Sequence, residues 1–232
     1  MQRTRSVLRT SQIYATIFRR GSVVFTCYRV TSIEYYEKRA AEAERDAVRE
    51  PNPGDLQYYH DNGASERPGQ WWASAGWSGK ISGVVDGGAI DVANLRDLAQ
   101  GIDPETGDAL IQQSKTKRTV GYDCQMAAPK SVSVLWAVAD ESARERIERI
   151  HAGAVQAALT WAHEQGLVIT RRGAGGQIHE AVREVAAATY LHTTSRAGDP
   201  QLHSHAVIVN LCVRADGSTG TIDRKSTRLN SR

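Results

Sequence analysis

The stretch His192–Asn210, HTTSRAGDPQLHSHAVIVN, constrains this chain more than any other. It holds three of the seven histidines. His203 and His205 stand two apart, ahead of the short β-branched run Ala206-Val207-Ile208-Val209, which reads as a buried strand. Side chains alternate across a strand, so both imidazoles face one side. Val185–Leu191, just before His192, also reads as a strand. Between them lies Thr193–Leu202, with Gly198 and Asp199-Pro200 as turn formers. A hairpin-like pairing brings His192 alongside His203 and His205. Three convergent neutral imidazoles make a divalent-metal site with coordination positions left for substrate. On spacing alone, a His-x-His pair on an apolar strand is more often a hydrogen-bonded core feature. The third histidine and the turn chemistry favour the metal reading.

Two other segments carry unusual residues. Tyr35-Tyr36 and Tyr58-Tyr59 are adjacent pairs in a chain with eight tyrosines. Taken singly, such tyrosines pack in the core or lie on the surface. Thr31-Ser32-Ile33-Glu34 fits a capping box, so a helix is expected from Thr31 through the Tyr35 pair, ending before Pro51. Trp71-Trp72 and Trp77 stand in a Gly/Ser-rich stretch. Stacking on unpaired bases competes there with core packing, and the large area a Trp buries favours the core. The same stretch imitates a phosphate loop, but Ser74 stands at the first Gly and Ile81 at the Ser/Thr, so an NTPase is excluded.

Asp91–Gln100 reads as a short helix with Val92, Leu95, Leu98 and Ala99 inward and Gly101 as its stop. Ile102–Gln113 is a polar loop. Lys115, Lys117 and Arg118 form a basic run, either a solvated face or a phosphate contact. Val120–Met126 is expected as a strand carrying Asp123. Asp140 caps a helix to Gln165, with Ile147, Ile150, Ala154, Ala158 and Trp161 at helical spacing. His151 and His163 on that helix read as surface or packing residues, and His179 as no ligand.

HTTSRAGDPQLHSHAVIVN resembles the three-histidine motif of the conjugative relaxases of the relaxase–helicase (MobF, TrwC/TraI-like) type, within the His-hydrophobic-His single-strand nucleases. GYDCQMAAPKSVSVLWA is similar to their second motif, although Gln125-Met126-Ala127 stands where Thr-Phe-Ser is more usual. The two tyrosine pairs are similar to the N-terminal pairs of the family, though separated by more residues than in its best-known members. The resemblance covers roughly residues 22–222, in three blocks in the expected order. It implies an α+β domain of the HUH-endonuclease (relaxase) fold. A central antiparallel sheet would carry the histidines on its middle strands, with helices on one face and the Tyr35 helix bringing its hydroxyl to the metal. It further implies nicking and strand transfer at a plasmid origin of transfer through a 5′-phosphotyrosyl intermediate. Tyr35 would be the nucleophile, with Tyr36 and Tyr58 as further candidates. Asp123 would orient a histidine or help accept a proton. His192, His203 and His205 would hold Mg²⁺ or Mn²⁺, with Zn²⁺ as the alternative. Lys130, Ser131 and Arg196 would contact DNA. Single-stranded origin DNA, conjugation accessory proteins and a coupling protein are the implied partners.

Two rivals remain. Rolling-circle initiators and transposases share the histidine motif but place their tyrosine after it, whereas Tyr35 precedes it here. The other rival is a truncated fragment that binds DNA or metal only. Residues 1–22 are expected to be a basic extension, either foreign to the domain or a DNA-contacting arm. Residues 23–222 are expected to form a relaxase domain incomplete at its C-terminus, and 223–232 a foreign or truncated tail.

Charge gives no general argument for nucleic acid. Residues 1–30 carry six Arg and no acid, while 31–223 hold 19 basic against 26 acidic residues, a net −7. A DNA groove must then be a local patch. Three scattered cysteines without a C-x-x-C fit a reduced, cytoplasmic protein. No apolar run reaches membrane-span length, so no membrane insertion is expected.

Overall fold

The computed structural model describes residues 24–34, 68–112, 118–195 and 198–223. Its strands are β1 (Val24–Val30), β2 (Gln70–Ala73), β3 (Gly121–Ala127), β4 (Ile169–Arg172), β5 (Ile178–Ala181), β6 (Glu184–Thr194), β7 (Pro200–Val213) and β8 (Thr219–Gly220). Its helices are α1 (Val92–Gln100), α2 (Lys130–Val138) and α3 (Glu141–Glu164). The main sheet runs β1-β3-β7-β6-β2, with β8 also on β7, and β4-β5 form a separate hairpin. Every pairing is antiparallel.

The histidine hairpin is the middle of that sheet. β6 and β7 extend well beyond the two apolar runs, to 11 and 14 residues. β7 has a neighbour on each side and a packed layer on each face, so its alternate residues serve two cores. Val207, Val209, Leu211 and Val213 join Trp71, Tyr190, Leu95 and Leu98 in one layer. Ala206, Ile208 and Cys212 join Trp72, Met126, Val155 and Leu159 in the other. Trp71 and Trp72, neighbours on β2, thus point to opposite layers, and both are core residues. The expectation of helices on one face is corrected. α1 contributes Leu95, Leu98 and Ala99 to the first layer, and α3 contributes Val155 and Leu159 to the second.

α1 forms as its sequence suggests. Asp91 accepts from the Asn94 N–H at its start, and Gly101, at φ 79°, stops it in the left-handed conformation. Asp140 caps α3 in the same way, accepting from the Ala143 N–H. The inward face of α3 differs from the expected stripe. His151, Val155, Leu159 and Ala162 are buried, whereas Ile150 is 61% and Trp161 42% exposed. The true stripe lies one residue, about 100° of helix, from the apolar one. It was obscured because its first member is a histidine.

Arg118 also departs from expectation. Its guanidinium turns inward and donates to the Asn210 carbonyl at 2.9 Å, so it belongs to neither a solvated face nor a phosphate contact. Lys115 and Lys117 lie outside the described residues. The helix expected from Thr31 through the Tyr35 pair lies, past Glu34, outside the described residues; before it, Ser32 Oγ accepts from the Glu34 N–H at 3.2 Å. Among the described residues, no helix is long and apolar enough to cross a membrane.

Gly121 is required by the tight β3–β7 packing. A Cβ there would meet the Ile208 carbonyl oxygen at 2.8 Å and Val207 Cγ1 at 3.2 Å. The first contact is backbone and cannot rotate away. Gly121→Ala is therefore expected to cost about 1–3 kcal/mol, as overpacking does, read as a lower urea midpoint at unchanged slope.

Candidate metal centre and active site

Strand register assembles the site. His192 on β6 pairs directly with His203 on β7, and His205 pairs with Tyr190 on β6 and Gln125 on β3. His203 and His205 share the parity of Val207 and so project from the face that carries the first core layer. Asp123, paired with Val207, projects from the same face. The turn that closes the hairpin is fixed by its backbone. The Ser195 N–H donates to Asp199 O at 2.8 Å, the Gly198 N–H donates to Ser195 O at 3.0 Å, and Gly198 adopts φ 81°.

The three rings lie with centroids 4.7–5.3 Å apart. One nitrogen from each falls within 4.8 Å of the others. Among the described residues, no other group of three His, Cys, Asp or Glu side chains is so placed. Hydrogen bonds set the tautomers of two of them. His203 Nδ1 lies 2.9 Å from the Gln201 carbonyl, which only accepts, so Nδ1 carries the proton. His205 Nδ1 lies 2.7 Å from Asp123 Oδ2, and an ionised carboxylate also only accepts. In each neutral ring the lone pair is then on Nε2. Burial, reinforced by the neighbouring His205, holds His203 below the ordinary imidazole value, against the opposing pull of the Gln201 carbonyl. A neutral imidazole is the form that binds metal. The donor set fits a divalent ion, and the carboxylate behind His205 is the kind of partner that orients a metal-bound histidine.

Asp123 keeps a second acceptor in reserve. Its Oδ1 is buried and makes no hydrogen bond among the described residues. Gln125 Nε2 lies 3.3 Å from His205 Nε2 and 3.4 Å from Nδ1, so the amide abuts the ring. Gln125, His203, Gln201, Ser133 and Lys130 line a cavity of about 360 Å³ beside the cluster.

Lys130 is exposed and donates to the Pro200 carbonyl at 2.9 Å, bracing the start of β7. Ser131 is exposed at the first turn of α2. Tyr35, Tyr36, Tyr58 and Arg196 lie outside the described residues.

Two residues support the histidine strand from the second face, and Ser133 went unrecognised in the sequence. Ser133 is fully buried, and its Oγ accepts from the Leu202 N–H at 3.0 Å, one residue before His203. Its place in Lys130-Ser-Val-Ser133, one helical turn past Pro129, was the available signal. His151 Nε2 shares a 3.0 Å hydrogen bond with Ser204 Oγ, which points away from the cluster between His203 and His205. Burial, with His203 nearby, lowers its pKa to about 4. Tyr28, opposite Asp123 in the β1–β3 register, is 59% exposed. His163 and His179 are engaged elsewhere, with the Arg183 carbonyl and Asp223 respectively.

The chain is similar to known proteins. Multifunctional conjugation protein TraI of Escherichia coli is 32% identical over 126 residues, covering 53% of this chain and 7% of that protein. TraI of E. coli strain K12 is 31% identical over the same length. A copper-bound structure of conjugative relaxase TrwC in complex with oriT DNA is 27% identical with a TM-score of 0.62. It is matched over 88% of this chain and 65% of its own. A metal-bound TrwC–oriT structure is 26% identical at the same TM-score, matched over 64% of its length. The chain thus spans a small fraction of the TraI proteins and somewhat under two thirds of the TrwC structures. The TrwC relaxase profile matches residues 31–231, a segment that holds β2 through β8 and every histidine of the cluster, and the chain belongs to the TrwC relaxase family.

Proposed function

We propose that this chain is a metal-dependent relaxase that nicks single-stranded DNA at a plasmid origin of transfer and keeps the 5′ end as a phosphotyrosyl ester. The observation that carries this reading is the three-histidine cluster on the middle strands, with Asp123 bonded to His205. Further support comes from the TrwC structures with oriT DNA.

His192, His203 and His205 hold the ion. When bound, it supplies Lewis-acid polarisation of the scissile phosphate. The candidate ions are Mg²⁺ and Mn²⁺, with Zn²⁺ as the alternative that an all-imidazole set suits. Asp123 Oδ2 keeps the His205 proton on Nδ1, and Oδ1 is left to accept a proton. The Tyr35 hydroxyl attacks phosphorus. The Tyr35 Oη–P bond forms, the P–O3′ bond breaks, and the tyrosine proton ends on the 3′ oxygen. A free tyrosine is mostly neutral at pH 7, so a nearby acceptor matters. The ester conserves the phosphodiester bond energy, which makes rejoining accessible and suits strand transfer. Lys130, which lines the cavity at His203, contacts phosphates on this reading, as do Ser131 and Arg196. The chain works in the cytoplasm with conjugation accessory and coupling proteins.

The test is covalent capture on labelled single-stranded origin DNA, with and without Mg²⁺, Mn²⁺ or Zn²⁺. A metal-dependent adduct on a denaturing gel, lost in Tyr35→Phe, is expected. An adduct that persists in Tyr35→Phe moves the nucleophile to Tyr36 or Tyr58. No adduct from a chain that still binds metal rejects the nicking activity.

A further inference from the structure

Cys27 on β1 and Cys124 on β3 are direct partners in the antiparallel register. Opposed residues in such a ladder have Cα atoms about 4.5–5.5 Å apart, inside the range a disulfide spans. The Cys124 thiol donates to Cys27 Sγ at 3.0 Å, so the sulphurs already face each other. The two differ in access. β1 is the edge strand and Cys27 is partly exposed, whereas Cys124 is fully buried. One sulphur can meet an oxidant, and the other is shielded behind it.

The third cysteine cannot compete. Cys212 lies on β7 six residues beyond Ala206, the partner of Cys124, which is about 20 Å along the strand.

We propose that Cys27 and Cys124 are a modification site, a dithiol that peroxide converts to an intrachain disulfide between β1 and β3. The Cys27 thiolate attacks hydrogen peroxide, giving a sulfenic acid and hydroxide, which leaves as water on protonation. The Cys124 sulphur then attacks Cys27 sulphur, loses its proton, and the hydroxyl departs as a second water. Two thiols are oxidised by two electrons while one peroxide is reduced to two waters. The bond ties the edge strand to the strand that carries Asp123 and Gln125, whose side chains project from the opposite face at His205. It also closes a long loop, since the two residues are 97 apart, and loop closure of that length restricts the unfolded chain strongly.

The whole chain, purified reduced and freed of reductant, is treated with hydrogen peroxide and digested without reduction. A linked peptide holding Cys27 and Cys124, two hydrogens lighter than the free pair, is expected from the wild type and from Cys212→Ser. It is absent from Cys27→Ser, a half-buried position, with a cooperative melt of the reduced variant showing that it is folded. The oxidised wild type is expected to melt several degrees above its reduced form, and reductant to reverse the shift. Recovery of Cys27 as sulfinic or sulfonic acid with Cys124 still a thiol overturns the proposal. So does a link from either residue to Cys212, or a linked form that melts no higher than the reduced one.

Discussion

Replacing Asp123 by asparagine lowers the affinity of the histidine cluster for Mn²⁺ about 10- to 100-fold, the range found when the partner of a metal-bound histidine is removed. The carboxylate only accepts, so it fixes the proton of His205 on Nδ1 and leaves Nε2 for the ion. An asparagine amide can accept or donate. When it donates, the proton moves to Nε2 and blocks coordination. The lost charge also makes the imidazole a weaker donor. Titration calorimetry with Mn²⁺ measures the effect, and melting of the apoprotein separates it from unfolding. An unchanged affinity in a folded variant would show that His205 needs no orienting carboxylate. On the proposed mechanism, nicking falls further than metal affinity alone explains, because Oδ1 is lost as a proton acceptor.

The second large effect is on stability against pH. Burial, with His203 nearby, lowers the pKa of His151 to about 4 in the folded chain, against an ordinary 6.5. The fold therefore disfavours its protonated form. Above pH 6.5 both folded and unfolded chains hold it neutral, and the full stability is present. As pH falls from 6.5 towards 4, the unfolded chain takes up a proton that the folded chain refuses. Stability is lost at about 1.4 kcal/mol per pH unit, up to about 3 kcal/mol, and this group contributes no further loss below pH 4. Urea unfolding of the wild type and His151→Gln at pH 7, 5.5 and 4 isolates the residue. Glutamine keeps a polar partner for Ser204 but does not titrate. The advantage of the wild type over the variant is expected to shrink across that window. A constant difference would mean that His151 is not the group that resists protonation.

The central hairpin and its three histidines were legible in His192–Asn210, because the motif carries its own turn and its own alternation. Asp123 could not be tied to His205 from chain order alone. The two are 82 residues apart and meet only through the β3–β7 register, so the resemblance to a family supplied that link. Where tertiary contacts decided the outcome, local pattern misled. Arg118 sat in a basic run but found a backbone carbonyl inside the fold. The buried stripe of α3 began with His151, whose Ser204 partner offsets the cost of burying an imidazole. The Cys27–Cys124 contact depends on β1 being the strand next to β3, which nothing in the composition of either segment dictates.

The way the hairpin closes sets what length changes the family can accept. His192 and His203 are cross-strand partners, and the ladder runs on only to the Thr194–Pro200 pair before the connecting turn. The connecting turn can therefore grow or shrink while the metal ligands stay opposed. One added residue between His205 and Val207 has the reverse effect. Every position on one side of it would swap faces, sending either the imidazoles or the valines to the wrong layer. Insertions among relatives should accordingly collect in the turn and be excluded from the strand, so that site and core are inherited as one unit.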